Sequence, residues 1–94
     1  MEIIWRRAAL NDLRSIHEFI AEDNPDAAHR VHAAIRASVG SLADHPHLGR
    51  AGRVEGTREL IIVGLPYIVA YRVLDDQVRI LAVIHTSWQW PRRS

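Results

Sequence analysis

Two apolar runs separated only by Asp75-Asp76 constrain the fold of this chain more than any other feature. Residues 67–74 and 77–85 are rich in β-branched and aromatic side chains, which favour strands. A two-residue connection between two such runs is typical of a β-hairpin. The short turn also fixes the register of the strands and predicts that Arg72 lies directly opposite Arg79.

Continued without interruption, this register predicts a sheet that is apolar on both faces. The face that helices would cover carries Tyr67, Val69, Tyr71, Val73, Val78, Ile80, Ala82 and Ile84. The other face carries Ile68, Ala70, Leu81 and Val83, with Arg72 and Arg79 at one end and His85 near the other. One helix pair covers only one face, so the second is expected to be open, unless the first strand or the C-terminal tail folds over it. An exposed apolar patch of this kind usually marks an interaction site.

Helical periodicity occupies the N-terminal half of the chain. Apolar residues recur every three or four positions from about residue 8 to residue 22, and again from about 25 to 43. Asn24 at the junction is a suitable N-cap, and Pro25 suits the first turn of the second helix. The short connection predicts that the two helices pair as an antiparallel hairpin.

Two further strands complete the pattern. Residues 2–5 and 57–63 are predicted strands, and the glycine-rich and arginine-rich stretch 45–56 is a predicted loop. The order β-α-α-β-β-β predicts an α+β fold in which a two-helix hairpin packs on one face of a small antiparallel sheet. With 94 residues, the chain is long enough for one hydrophobic core and too short for two, so residues 1–94 are expected to form a single domain.

Composition excludes several kinds of function and indicates the charge of a partner. The chain has no cysteine, which rules out thiolate catalysis, disulfides and cysteine-zinc sites. Its first residues do not have the pattern of a signal peptide, and no apolar run is near the roughly 18 residues that span a bilayer, so a cytoplasmic location is expected. All twelve basic residues are arginine, the residue that makes forked contacts to carboxylate and phosphate. Residues 46–94 contain seven arginines and four acidic residues, so an anionic partner is expected to dock there.

Several short segments, none of them decisive alone, carry a family resemblance through their order and spacing. They are residues 9–13 (ALNDL), 20–25 (IAEDNP), 48–53 (LGRAGR), 56–60 (GTREL), 66–73 (PYIVAYRV) and His85 followed by Trp90-Pro91. Together they resemble the RelE/ParE superfamily of toxins from bacterial type II toxin–antitoxin modules, and specifically its ParE-like branch. The resemblance implies the helix hairpin on a small sheet derived above. It also implies a growth-inhibiting toxin without a cofactor, held in a hetero-oligomer by a small ParD-like antitoxin encoded beside it.

The superfamily divides by target, and the resemblance implies DNA gyrase rather than the ribosome. RelE-like members bind the ribosomal A site and cleave mRNA, whereas ParE-like members inhibit gyrase and have no known active site. RelE-like nucleases carry an arginine directly after the first tyrosine of the strand that corresponds to residues 67–74, where this chain has Ile68. They also carry basic and tyrosine residues near the C-terminus, where this chain has Trp88, Gln89 and Trp90. Both departures favour gyrase inhibition.

Arg58, Glu59 and His85 keep mRNA cleavage open as an alternative. Cleavage within an RNA strand needs a general base, a cation that stabilises the phosphorane, and a general acid. These three residues could lie on neighbouring strands. Strand alternation lets only one of Arg58 and Glu59 share a face with His85, and a histidine at a strand end is more often structural. A third alternative is an inert relic of a toxin that only binds its antitoxin.

The expected contact residues form two sets. Target contacts are expected from the basic and aromatic residues Arg50, Arg53, Arg58, Arg72, Arg79, His85, Trp88 and Trp90. Antitoxin contacts are expected from the apolar residues Leu13, Ile16, Ile68, Ala70, Leu81 and Val83 of the helix hairpin and the open sheet face. His29 and His32 have a spacing that metal ligands use, but few carboxylates are nearby and no metal site is expected.

Overall fold

In a computed structural model, which describes residues 1–87, 90 and 91, two α-helices pack on a five-stranded sheet. The elements are β1 (Glu2–Trp5), α1 (Arg7–Ala21), α2 (Pro25–Gly40) with a 3-10 turn (Ser41–Ala43), β2 (Arg50–Ala51), β3 (Arg58–Ile61), β4 (Tyr67–Leu74) and β5 (Gln77–His85). The strand order is β1-β5-β4-β3-β2. Within the described part of the chain, no helix has the length and apolarity that crossing a membrane requires.

The predicted α+β class and the helix hairpin are confirmed, with two differences in the sheet. β1 pairs parallel with β5, placing Glu2 opposite Gln77, so the sheet is mixed rather than wholly antiparallel. The second difference is β2, which lies inside the predicted loop and pairs antiparallel with β3. At the helix junction, Asn24 Oδ1 accepts a hydrogen bond from the Ala27 N–H at 3.0 Å, so the predicted N-cap is confirmed.

The β4–β5 hairpin follows the predicted register only as far as Tyr71, which lies opposite Ile80. The next residue of β4, Ala70, lies opposite Ala82, so Leu81 is an extra residue without a partner across the hairpin. One inserted residue is a β-bulge, and it moves every later side chain of its strand to the opposite face. The register predicted for the second half of the hairpin is therefore wrong.

The bulge corrects the predicted faces of β5. Val83, predicted on the open face, is fully buried in the main core beneath the helices. Ala82 and Ile84, predicted under the helices, lie in a cluster on the other face. Leu81 is half-buried at the bulge itself.

The main core lies between the helix hairpin and one face of the sheet. Its buried residues are Ala9, Leu13, Ile16, Ile35, Val39, Leu42, Leu60, Ile62, Tyr67, Val69, Tyr71, Val78, Ile80 and Val83. The α1 residues follow the predicted spacing of three and four, which places them on one helix stripe. Leu13 and Ile16, expected at the antitoxin interface, are buried core residues in the free chain.

The apolar part of the second sheet face is covered, contrary to the prediction that it is open. Ala70 and Ile84 are buried there with Ala82, and Trp90 from the C-terminal segment packs against them. Ile68 is also buried. The alternative in which the tail folds over this face is therefore confirmed for Trp90.

Asp12, which flanks the apolar stripe of α1, links this helix to the sheet. Its Oδ2 accepts a hydrogen bond from the Val83 backbone N–H at 3.1 Å. β1 pairs with β5 only as far as Trp5 opposite Ile80, so this part of the β5 edge has no strand beside it. The carboxylate satisfies a backbone donor that would otherwise lose its hydrogen bond when buried.

Candidate functional site

Glu59 lies at the centre of a group of arginines on the second sheet face. Strand pairing places it opposite Arg50 on β2 and Ala70 on β4. Its carboxylate, whose side chain is only 3% exposed, accepts hydrogen bonds from the Arg53 backbone N–H and Nε, both at 3.0 Å. The Arg53 and Arg50 Nη2 atoms donate to its other oxygen at 3.3 and 3.4 Å. Glu59 therefore holds two arginines at the β2–β3 edge.

The arginine contacts keep Glu59 ionised. Burial alone would raise the pKa of its carboxyl, but the hydrogen bonds and positive charge of Arg53, with the hydrogen bond of Arg50, lower that pKa overall. A carboxylate that accepts four hydrogen bonds in this way is a structural anion. It does not have the raised pKa that general acid–base catalysis at neutral pH favours.

Arg72 and Arg79 extend the positive charge along the same face. They lie directly opposite each other, as predicted, and alternation places them on the side that carries Glu59. Arg79 Nε donates to Gln77 Oε1 at 3.3 Å. Like charges directly opposite each other destabilise a strand pair, so an anion bound between them would relieve the repulsion. We call Arg50, Arg53, Arg72 and Arg79 the arginine face.

Tyr71 holds the loop that carries part of the arginine face. The Gly49 N–H donates to the buried Tyr71 hydroxyl at 2.8 Å, and that hydroxyl donates to the Pro46 carbonyl at 2.8 Å. A Cβ at Gly49 would lie 2.7 Å from the Tyr71 hydroxyl and 2.9 Å from the Glu59 carbonyl oxygen, so only glycine fits. Arg58 Nη1 donates to the Gly49 carbonyl at 2.8 Å. Arg58, expected to contact the target, therefore positions this loop in the free chain.

His85 lies at the end of β5, close to α1. Its Nδ1 accepts a hydrogen bond from the Ser87 backbone N–H at 3.1 Å and lies 2.7 Å from the Ser87 hydroxyl. An accepting Nδ1 places the proton of a neutral imidazole on Nε2. The ring packs edge-on against Tyr67, with centroids 5.4 Å apart, and lines an apolar cavity with Ile16 and Phe19.

The prediction that Arg58, Glu59 and His85 lie on neighbouring strands is wrong. β4 separates β3 from β5, with Glu59 opposite Ala70 and His85 opposite Tyr67. Three residues along a strand and two strand spacings put the Glu59 and His85 backbones roughly 14 Å apart. The Glu59 carboxylate is also engaged by arginines. These residues are therefore not assembled as an acid–base set.

Of the two C-terminal tryptophans expected at the target, Trp90 is half-buried against the second sheet cluster. This packing contact supplies apolar cover for the sheet. Trp88 lies outside the described residues.

A groove between the two helices holds three histidines, and the spacing in the sequence indicated only two of them, His29 and His32. His17 of α1 packs edge-on against His29 and His32 of α2, with ring centroids 5.2 and 5.8 Å apart. His17 lies three residues after Arg14 and one turn after Leu13, a helical spacing that could have indicated a shared face. Among the residues that the structure describes, no group of three or more His, Asp or Glu is arranged to hold a metal ion.

Comparisons with known proteins agree with the fold and identify relatives. Residues 3–90 match the sequence model of a family described as the ParE toxin of the type II toxin–antitoxin system parDE. The Y4kP protein of Sinorhizobium fredii is 47% identical over 90 residues, covering 96% of this chain and 93% of its own length. Toxin RelE2 of Caulobacter vibrioides is 34% identical over 86 residues, covering 92% and 96%. A chain in the solved structure of the chromosomal ParDE TA system from P. aeruginosa has a TM-score of 0.83 and 26% identity, covering 90% of this chain and 95% of that one.

Proposed function

The chain belongs to the ParE toxin family of type II toxin–antitoxin systems, and we propose that it inhibits growth by acting on DNA gyrase and is neutralised by a cognate ParD-like antitoxin. The observation that carries the choice of target is the engagement of Glu59 by Arg53 and Arg50. It occupies the carboxylate that a nuclease would use as a base. It also builds a positively charged surface suited to binding an anionic partner.

The arginine face is the proposed contact with gyrase. Arg50 and Arg53 are about half exposed even while they bind Glu59, with 56% and 46% of their side-chain surface accessible. Their free guanidinium N–H groups could donate to carboxylates of the enzyme or to phosphates of its bound DNA. Arg72 and Arg79 would gain most from such a contact, because an anion between them removes a like-charge repulsion.

The antitoxin is proposed to cover exposed apolar side chains of α1. Phe19 is 73% exposed and Leu10 is 41% exposed, whereas Leu13 and Ile16 lie beneath them in the core. Leu10 lines the groove between the helices, and Phe19 lines the cavity beside His85. Large apolar side chains exposed on a small domain favour an interaction role for this surface.

Cleavage of mRNA at the ribosome is the second candidate function. The relative named Toxin RelE2 favours it, since that name belongs to the other branch of the superfamily. The arginine face would also suit RNA phosphates. This function needs an acid–base group in addition to the arginines. The candidate for that role is the imidazole of His85, at the end of β5.

Expression of the chain with and without the neighbouring antitoxin gene tests the proposal. We expect growth arrest with filamentation and a DNA-damage response, all relieved by the antitoxin, and inhibition of gyrase supercoiling by the purified toxin. Ribosome-bound mRNA should remain intact. Codon-resolved mRNA cleavage would favour the second candidate, and full viability with abundant folded protein would favour an inert antitoxin-binding relic.

A further inference from the structure

The groove between α1 and α2 is distinct from the arginine face and has an unusual set of side chains. Its floor is formed by Leu10 and Leu13, and its walls carry Arg14, His17, Glu18, His29, His32 and Arg36. We call these eight residues the histidine groove. It combines an apolar floor with groups that are cationic or able to become cationic.

The charge of the histidine groove depends on three imidazoles. At neutral pH with neutral histidines, two arginines face one glutamate, and the groove carries a single net positive charge. Protonation of all three imidazoles would raise that charge to four. Histidine is the side chain whose ordinary pKa lies closest to this pH range, so the groove can gain charge under mild acidification.

Contacts across the groove oppose protonation of His32 in the free chain. His17 of α1 lies against both His29 and His32 of α2. The pKa of His32 is lowered by partial burial, then by the positive charges of Arg36, His17 and His29. From α1 the groups that line the groove with His32 are Arg14, His17 and Glu18, and Glu18 is the only acid among them.

A carboxylate entering the groove would reverse this balance. It would stabilise the protonated form of the imidazoles, because an opposite charge within a few ångströms favours the charged form. Arg14 is exposed and available to pair with it, whereas Arg36 lies over the Trp5 ring, 5.3 Å from its centroid. The apolar floor at Leu10 and Leu13 would accept a neighbouring apolar side chain of the same segment.

We propose that the histidine groove binds a segment of the antitoxin that carries carboxylates beside apolar side chains, and that the three histidines take up protons when it binds. The inference rests on the proposed function, because it assumes that a cognate antitoxin binds this chain. Charge complementarity favours an acidic protein segment, and the apolar floor favours it over a nucleic acid. The complex should therefore tighten as the pH falls from 8 to 6.

Calorimetric titration of the full chain with the antitoxin encoded beside it tests this inference. Titrations at pH 8, 7 and 6 in EDTA, in buffers of different ionisation enthalpy, give both the Kd and the number of protons taken up. We expect uptake of at least one proton and a Kd that tightens about tenfold per pH unit for each proton. The triple variant H17Q/H29Q/H32Q should lose this pH dependence. The matched control H45Q/H47Q, which replaces two exposed loop histidines, should keep it.

A charge reversal locates the contact without altering the histidines. Arg14→Glu should weaken binding at least tenfold at pH 7. Arg30→Glu, at an exposed α2 arginine beside a different cavity, should change the Kd less than threefold. Circular dichroism of each free variant checks that it is folded. Equal weakening by the two reversals would overturn the assignment to this groove.

The outcomes separate this inference from the proposed function. Antitoxin binding that relieves toxicity but has a constant Kd and no proton uptake would overturn the inference alone. Retained pH dependence in the folded triple variant would do the same. Absence of binding at every pH would overturn both. Binding of a random-sequence DNA duplex that Arg14→Glu abolishes would identify the groove as a nucleic-acid site and overturn the assignment to an acidic protein segment.

Discussion

Arg53 holds Glu59 with its backbone and its side chain at once. The backbone N–H and the guanidinium Nε of Arg53 both donate to the same carboxylate oxygen at 3.0 Å. The contact closes the loop between β2 and β3 onto the sheet, because the Arg53 main chain is fixed to a strand residue. A single carboxylate thus orders the loop and positions two arginines.

Replacing this carboxylate should destabilise the fold more than replacing an exposed one nearby. Glu59→Gln removes the charge that the two arginines share, and we expect a loss of about 1–3 kcal/mol in the free energy of unfolding. This loss is smaller than the roughly 3–5 kcal/mol expected for breaking a fully buried ion pair, because both arginines can reach water. Glu55→Gln, at an exposed position of the same loop, should change stability by less than about 0.5 kcal/mol. Urea denaturation measures both, and equal losses would show that the Glu59 contacts contribute little.

The same carboxylate should make stability depend on acid pH. The pKa of Glu59 is lower in the folded chain than its ordinary value, so its contribution is present above the unfolded pKa of about 4.3 and is lost as the pH falls through the folded pKa. The difference in unfolding free energy between the native chain and Glu59→Gln should therefore shrink below about pH 4. Denaturation curves between pH 3 and 7 measure this difference. A difference that stays constant over the range would mean that the Glu59 pKa is not lowered by folding.

The bulge makes neighbouring apolar residues of β5 unequal. Val83→Ala should cost about 2–3 kcal/mol because it opens a cavity in the main core, whereas Leu81→Ala at the half-buried bulge should cost less than about 1 kcal/mol. Without the bulge, the two residues would share one face and respond alike. Thermal or urea unfolding of the two free variants distinguishes these arrangements. Similar losses in both would contradict the bulged register.

The target can be tested by comparing His85 with Arg72. Under gyrase inhibition, His85→Ala should leave toxicity within a few-fold of the native chain, and Arg72→Gln should reduce gyrase inhibition about tenfold for the loss of one charge-assisted contact. Under mRNA cleavage, loss of a general acid–base group would lower the rate by roughly 10²–10⁴. Growth assays and supercoiling assays with folded variants give the comparison. Loss of toxicity only in the His85 variant would favour the nuclease.

Local patterns in the sequence predicted most of the secondary structure. β4 and β5 have their predicted ends, and the Asp75-Asp76 turn sets the register near it, because strand preference and turn geometry act between close neighbours. Asn24 caps α2 for the same reason. Leu13 and Ile16 lie on the buried stripe of α1, as the helical periodicity predicted.

Tertiary structure decided which distant residues meet. Leu81 bulges just before Val83, where β1 no longer pairs with β5. There the Val83 N–H donates to the Asp12 carboxylate of α1, a contact between residues 71 positions apart that no local pattern indicates. The contact between Glu59 and Arg53 forms because the loop that carries Arg53 folds back onto β3, and that loop has no regular periodicity in the sequence. His17 meets His29 and His32 only because the two helices pair. Sequence periodicity specifies which side of a helix or strand is apolar. Only packing in three dimensions specifies which residues from elsewhere in the chain contact each side.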